Sequence, residues 1–447
     1  MSLDWIAGRG RALRGEARVP GDKSISHRAL MLAAIADGSS RISGFLEGED
    51  TRATVAILQQ LGVRIETPAD GERIVHGDGM HGLRGSDAAL DCGNAGTAMR
   101  LLCGLLAGQE FDSVLIGDAS LSRRPMARVM DPLTRMGARI VGSENGCAPI
   151  RIYSNNGMQA IDIETEIASA QLKSAILLAG LYADGTTTVR EPHPTRDYTE
   201  RMLAAFGYPI DFSPGFAAVR GGHRLRAIDI VVPADFSSAA FLIVAACLIP
   251  GSDLRLRAVG MNPRRTGLLA VLRSMGAEII EEEIAGPGSS AADAREHGEP
   301  LADLHVRFAP LHGIDVPQEL VADMIDEFPI LFVAAALADG VTTIRGAQEL
   351  RVKESDRIAS MATGLRMLGV VIDETPDGAV IQGVGASGTL RAGIVTSQGD
   401  HRVAMSLAVA AQRADGELRI VDCANVATSF PGFAALANGI GMSLRMA

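Results

Sequence analysis

Six times along the chain an Ala/Leu-rich apolar run closes on a glycine and gives way to a β-type stretch. The closing glycines are Gly38, Gly108, Gly185, Gly251, Gly340 and Gly416. Ala29–Gly38 (ALMLAAIADG), Ala175–Gly185 (AILLAGLYADG) and Leu331–Gly340 (LFVAAALADG) show the form. Runs this apolar predict buried helices, each with a glycine stop. A second signature runs in phase with the first: a short helix ending in a hydrophobic residue and glycine, then a strand. It falls at Gly62, Gly137, Gly207, Gly276, Gly369 and Gly441, at intervals of 75, 70, 69, 93 and 72 residues. Such regular self-similarity predicts stacked supersecondary units, each with two helices and about four short strands. The one long interval contains Glu281–Asp303, a polar stretch that reads as an inserted surface loop.

Three units fall on each side of about residue 234, and the halves open alike. Val19-Pro20-Gly21-Asp22-Lys23-Ser24 matches Val232-Pro233-Ala234-Asp235-Phe236-Ser237. The stretch Arg11–Val19 reads as a strand that precedes the first unit and pairs with the last half. The predicted fold is α/β, in two similar domains of three units each, with helices inside, sheets outside and a cleft between. The domains are residues 21–233, and 1–20 plus 234–447, with a hinge near 20 and 233. A repeat protein with a passive binding face would show the same periodicity.

Composition narrows the class. With 447 residues, 47% hydrophobic and 21% charged, the chain is globular. No apolar stretch reaches membrane-spanning length and the N-terminus has no signal-like core, so a cytoplasmic protein is expected. Five cysteines without C-x-x-C or Cys/His spacing predict buried thiols, with neither a disulfide framework nor a metal site. A net charge of −11 counts against nucleic acid, though not against a small anion held by a local basic cluster.

Polar clusters stand before the apolar runs, where helix N-termini would point N–H groups at an anion. Gly21–Arg28 (GDKSISHR) lacks P-loop spacing, because Asp22 separates Gly21 from Lys23. It still offers a lysine, hydroxyls and an arginine for phosphate or carboxylate; a serine cap with exposed basic residues explains it as well. Leu90–Arg100 (LDCGNAGTAMR) is a small-residue turn, either approached by a ligand or simply capped by Thr97. Arg123 and Arg124 precede Pro125, a residue suited to start a helix, in an exposed loop or an anion clamp. Ser169, Gln171 and Arg196 fit capping and surface polarity taken singly. Asp326-Glu327 suits a helix dipole, Leu350–Arg357 (LRVKESDR) a solvated ion-pair face, and His401 a structural histidine. Together, many basic donors plus acid groups at unit starts point to a cleft for phosphate-bearing substrates with acid/base work.

The ordered set GDKSISHR, DCGNAGTAMR, GDASLSRRPM, ASAQLKSAILLAGL, TRDYTE, MNPRRTG, MIDEFPIL, LRVKESDR and DHRVAMS closely resembles the 5-enolpyruvylshikimate-3-phosphate synthase (3-phosphoshikimate 1-carboxyvinyltransferase) family, nearly end to end. The forms ASAQ and MIDEFP are similar to its second bacterial sequence class. The resemblance implies the sixth step of the shikimate pathway, toward chorismate and the aromatic amino acids. Phosphoenolpyruvate and shikimate 3-phosphate would give the enolpyruvyl ether and phosphate, without metal or organic cofactor. It also implies six βαβαββ units in two domains, and a monomer is expected.

Matched position by position, the resemblance implies shikimate 3-phosphate contacts at Lys23, Ser24, Arg28, Ser169, Gln171, Arg196, Asp326 and Lys353. It implies phosphoenolpyruvate contacts at Lys23, Gly96, Arg124, Gln171, Arg357 and Arg402. Asp326 would accept the 5-hydroxyl proton; Glu354 and Lys23 are both candidates for the proton at the methylene carbon. Thr428 stands where many relatives carry a lysine. Gly96 is the unsubstituted form, so glyphosate is expected to compete with phosphoenolpyruvate. A sister family that acts on UDP-N-acetylglucosamine typically carries a cysteine in the arginine loop, where this chain has Ala119. Basic residues drawn from both halves imply that ligand pulls the halves together.

Overall fold

The computed structural model describes residues 3–284 and 299–447. Twelve α-helices occur among them, and they alternate in role. The odd-numbered set is apolar and buried: α1 (Lys23–Ala34), α3 (Gly96–Ala107), α5 (Ala170–Gly180), α7 (Phe236–Leu248), α9 (Phe328–Ala336) and α11 (His401–Ala411). The even-numbered set keeps a wet face: α2 (Glu49–Gln60), α4 (Ala127–Arg135), α6 (Tyr198–Ala205), α8 (Gly267–Ser274), α10 (Arg357–Met367) and α12 (Phe433–Ile440). None is long and apolar enough to cross a membrane.

The second glycine signature ends every even-numbered helix in one way. Gly62, Gly137, Gly207, Gly276, Gly369 and Gly441 all have positive φ, from 75° to 125°. At each, the glycine N–H and the N–H after it turn back to carbonyls of the last turn, as in Gly62→Gln59 (3.0 Å) and Val63→Leu58 (3.0 Å). That double bond is the Schellman stop, and a side chain would strain it.

The first signature behaves differently from its reading as a helix stop. The buried helices end at Ala34, Ala107, Gly180, Leu248, Ala336 and Ala411, directly before Gly108 but several residues short of the other five glycines. Gly38, Gly185, Gly251 and Gly340 have positive φ and sit at or just before the next strand. Gly108 does cap α3, but with φ −96°; its position is set by space, since an added Cβ would lie 2.4 Å from the Tyr182 ring.

Among the described residues, six small sheets follow one plan. In the third, Asp162–Glu164 lies parallel to Thr186–Arg190, which pairs antiparallel with Phe216–Arg220 and through it with Ile210–Ser213. The fifth has three strands, its parallel partner reduced to single bridges at His312–Asp339 and Asp315–Thr343. The N-terminal segment serves the second half: Arg14–Ala17 runs parallel to Asp253–Gly260, and Trp5–Gly8 lies between Leu418–Val421 and Ser443–Met446. The polar stretch expected as a surface loop is strand at both ends. Glu278–Ile284 pairs antiparallel with Leu301–Arg307, and its middle, 285–298, lies outside the described residues.

The chain divides into two compact units. One holds Gly21–Val232; the other joins the segment ending at Pro20 to the chain from Pro233 and Pro300–Ala447. Each has its own hydrophobic core, made by the three buried helices and the inner faces of its sheets. Packing is tight enough to exclude side chains: a Cβ at Gly104 of α3 would lie 2.1 Å from the Ala175 carbonyl of α5.

Candidate active site

In the unit Gly21–Val232, Asp22 caps α1 by accepting from the Ile25 N–H (2.8 Å), which makes Lys23 the first helical residue. Lys23 Nζ meets Asp50 Oδ2 at 2.8 Å, and Asp50 is 5% exposed. Arg28, one turn on, is buried. Its Nε donates to Thr199 Oγ1 (2.7 Å), Nη2 to Ser174 Oγ (2.8 Å) and Nη1 to the Ser24 carbonyl (3.0 Å). A guanidinium has five N–H groups, so these bonds leave two for a ligand. Burial, followed by the like charge of Arg196, lowers the Arg28 pKa to about 10. Ser169 caps α5.

Gln171 ties α5 to α3. Its Nε2 donates to Thr97 Oγ1 (2.9 Å) and its Oε1 accepts from Arg100 Nη1 (3.0 Å). Thr97 is therefore no cap; α3 opens on Ala95 with no side-chain cap bond. Arg124 donates to Asn94 Oδ1 (2.8 Å) and is 8% exposed, unlike the exposed Arg123. Pro125 does not start a helix: α4 begins at Ala127, because Leu121–Arg123 winds as a 3₁₀ turn and Arg124 is extended. Arg100 and Arg124 both crowd Gly96, where a Cβ would lie 2.9 and 3.0 Å from their Nη1 atoms.

In the other unit, Arg357 is the hub. It is 2% exposed and meets Asp400 Oδ2 (2.8 Å), Glu354 Oε2 (2.6 Å) and Asp326 Oδ1 (3.5 Å). Burial works against its charge, but Asp400, Glu354 and Asp326 outweigh it and hold the guanidinium well above its ordinary range. Asp400 is itself held below the usual carboxylate range; burial opposes this and Arg357 overcomes it. Arg402 Nη1 donates to the Asp326 carbonyl (3.0 Å) and lies 3.7 Å from Glu327 Oε1. Burial lowers the Lys353 pKa against the pull of Asp326 and Glu349. The segment Leu350–Arg357 is thus not a solvated ion-pair face, since Arg357 turns inward at the start of α10.

Three of the six helix starts are partly occupied from within the chain. At α1 and α11 one N–H of the first turn donates to Asp22 and Asp400, and at α7 two donate to Asp235. Carboxylates there already satisfy the helix pole. Thr428 is buried and donates to the Asn425 carbonyl (2.7 Å).

Several residues missed by the sequence reading hold the named ones in place. Asp50 pairs with Lys23, while Asn94 and Arg100 order the surroundings of Gly96. Arg265, from MNPRRTG, donates to Asp235 (3.1 Å) and Ser237 (2.6 Å) and lies 3.8 Å from Asp326 Oδ2. An acid in the first turn of a helix, such as Asp50, carries no distinguishing signal in sequence, because dipole complementarity explains it.

Comparison with known proteins identifies the family. Residues 8–436 match the EPSP synthase (3-phosphoshikimate 1-carboxyvinyltransferase) family. A 3-phosphoshikimate 1-carboxyvinyltransferase of Xanthomonas campestris pv. campestris (strain B100) is 64% identical over 440 residues, 98% of each chain. One from Xanthomonas euvesicatoria pv. vesicatoria (strain 85-10) is 63% identical over 443 residues, 99% of this chain and 98% of that one. Among solved structures, EPSP synthase from Acinetobacter baumannii superposes with TM-score 0.88 at 46% identity over 100% of both chains. The enolpyruvyl transferase NikO from Streptomyces tendae shares the fold at TM-score 0.79 and 19% identity, covering 100% of this chain and 99% of that one. The chain belongs to the EPSP synthase (3-phosphoshikimate 1-carboxyvinyltransferase) family.

Proposed function

We propose that this chain carries out the family reaction, transfer of the enolpyruvyl group of phosphoenolpyruvate to the 5-hydroxyl of shikimate 3-phosphate with release of phosphate. The addition step joins the acceptor oxygen to C2 of phosphoenolpyruvate while a proton arrives at C3. Elimination then breaks the C–O bond to phosphate and returns a methyl proton. Asp326 takes the hydroxyl proton, and Glu354 or Lys23 serves the carbon. Lys23, Ser24, Arg28, Ser169, Gln171, Arg196 and Lys353 hold the acceptor. Lys23, Gly96, Arg124, Gln171, Arg357 and Arg402 hold phosphoenolpyruvate, mainly by positioning and by stabilising its charge.

The observation that carries this reading is the pair of carboxylates, Asp326 and Glu354, gathered by one buried guanidinium at 3.5 and 2.6 Å. Two acid/base groups kept close to a fixed cation suit a reaction that moves protons at two atoms while an anionic group arrives and leaves. Glyphosate, an anion, competes with phosphoenolpyruvate in this reading. Phosphate release measured with phosphoenolpyruvate and alternative acceptors tests it. Release with shikimate 3-phosphate and none with UDP-N-acetylglucosamine is expected; release only with the UDP-sugar, or with neither, contradicts it.

A further inference from the structure

A buried charged cluster behind the acceptor residues takes no part in the chemistry described so far. Lys173 of α5 is 3% exposed, and its Nζ lies 2.8 Å from both Glu191 Oε2 and Glu200 Oε1. The same Nζ donates to the Thr195 carbonyl (3.4 Å). Glu191 accepts from the Thr195 N–H (3.3 Å) and from its hydroxyl (2.5 Å). Both main-chain polar groups of the residue before Arg196, and its side chain, are therefore held by one ion pair.

The hold on Thr195 bears on Arg196. It lies close enough to Arg28 for the two like charges to repel, and Arg28 is fixed by three hydrogen bonds. Ordering this stretch only on binding would cost affinity. A clamp on the peptide beside Arg196 removes that cost in advance. Its members also couple the segments concerned: Lys173 belongs to α5, whose start carries Ser169 and Gln171. Glu200 of α6 follows Thr199, which accepts from Arg28.

We propose that Glu191 and Lys173 form a positioning clamp that presets Arg196 for the phosphate of the acceptor and so sets selectivity for the phosphorylated substrate. This rests on the reading that Arg196 meets that phosphate. Glu191 and Lys173 touch no substrate; they act through the Thr195 peptide.

The test compares Glu191→Gln and the milder Thr195→Val with Arg196→Ala. For each, KM for shikimate 3-phosphate, KM for phosphoenolpyruvate and the inhibition constant of shikimate, the acceptor without its phosphate, are measured. Glu191→Gln should raise KM for shikimate 3-phosphate about tenfold, the loss expected for a charged hydrogen bond. Thr195→Val should raise it severalfold. KM for phosphoenolpyruvate and the shikimate constant should stay within about twofold, since neither reads the acceptor phosphate. Parallel losses for shikimate and shikimate 3-phosphate, or no loss in a folded Glu191→Gln protein and in Thr195→Val, would overturn the clamp. Should Arg196→Ala alone be selective, the clamp fails while the reading of Arg196 stands. Should Arg196→Ala show no selectivity, that reading fails and the clamp falls with it.

Discussion

At the scale of single residues, placement depends on what each charge touches. Lys23, Arg28, Arg124, Arg357 and Arg402 were legible as candidates because basic residues at unit starts fit an anion site. Their restraints were not legible, since Asp50, Asn94 and Arg265 come from other segments and look like ordinary capping or surface residues. Gly96 shows how narrow the tolerance is. Gly96→Ala would push a methyl against the tips of Arg100 and Arg124, which are flexible enough to move rather than unfold the helix. We expect a folded enzyme with raised KM for phosphoenolpyruvate and a larger rise in the glyphosate inhibition constant, checked by steady-state kinetics. Asp326→Asn keeps the shape but removes the proposed base. Its kcat should fall by about 100-fold or more with a modest change in KM for phosphoenolpyruvate. A kcat within about threefold of the parent, well short of the loss of a general base, would remove Asp326 from that role.

At the scale of elements, the repeat was readable because two glycine signatures recur in phase. The structure separates their causes. The second signature is a helix stop with positive φ at all six positions; the first marks strand entry at most of its positions. Sequence alone could not tell these apart, since both put a glycine after an apolar run. Two substitutions separate conformation from packing. Gly207 has φ 75° and nothing within 4 Å of where a methyl would stand. Gly207→Ala should therefore cost only the left-handed strain, about 1–2 kcal/mol. Gly104→Ala must instead part α3 from α5, because the clash is with backbone. Thermal unfolding should show a drop of a few degrees for the first and a far larger one, or loss of folded protein, for the second. Equal drops would refute the distinction. Helix starts show the same limit: periodicity locates them but does not say which N–H groups an aspartate takes.

At the scale of the whole molecule, acid sensitivity follows from buried titrating groups. Burial, then Lys23 and Arg28, lowers the His27 pKa to about 3. In the unfolded chain it titrates near ~6.5, so between these values only the unfolded state takes the proton. Stability therefore falls as pH drops below about 6.5, approaching ~1.4 kcal/mol per pH unit from this group. Asp400, held below its unfolded pKa, adds a loss of the same sign, but only once pH falls below the carboxylate range. Denaturant midpoints should fall from about pH 7 to about pH 5, and His27→Gln should flatten that slope; a flat parent profile would contradict the assignment.

The proposed transfer draws on residues of each unit. Hydrogen exchange followed by mass spectrometry, with shikimate 3-phosphate and glyphosate bound together, measures this most directly. Slowed exchange is predicted in Lys23–Arg28 and also in Lys353–Arg357. Protection confined to one of these segments, with the other exchanging as in the unliganded protein, would contradict it.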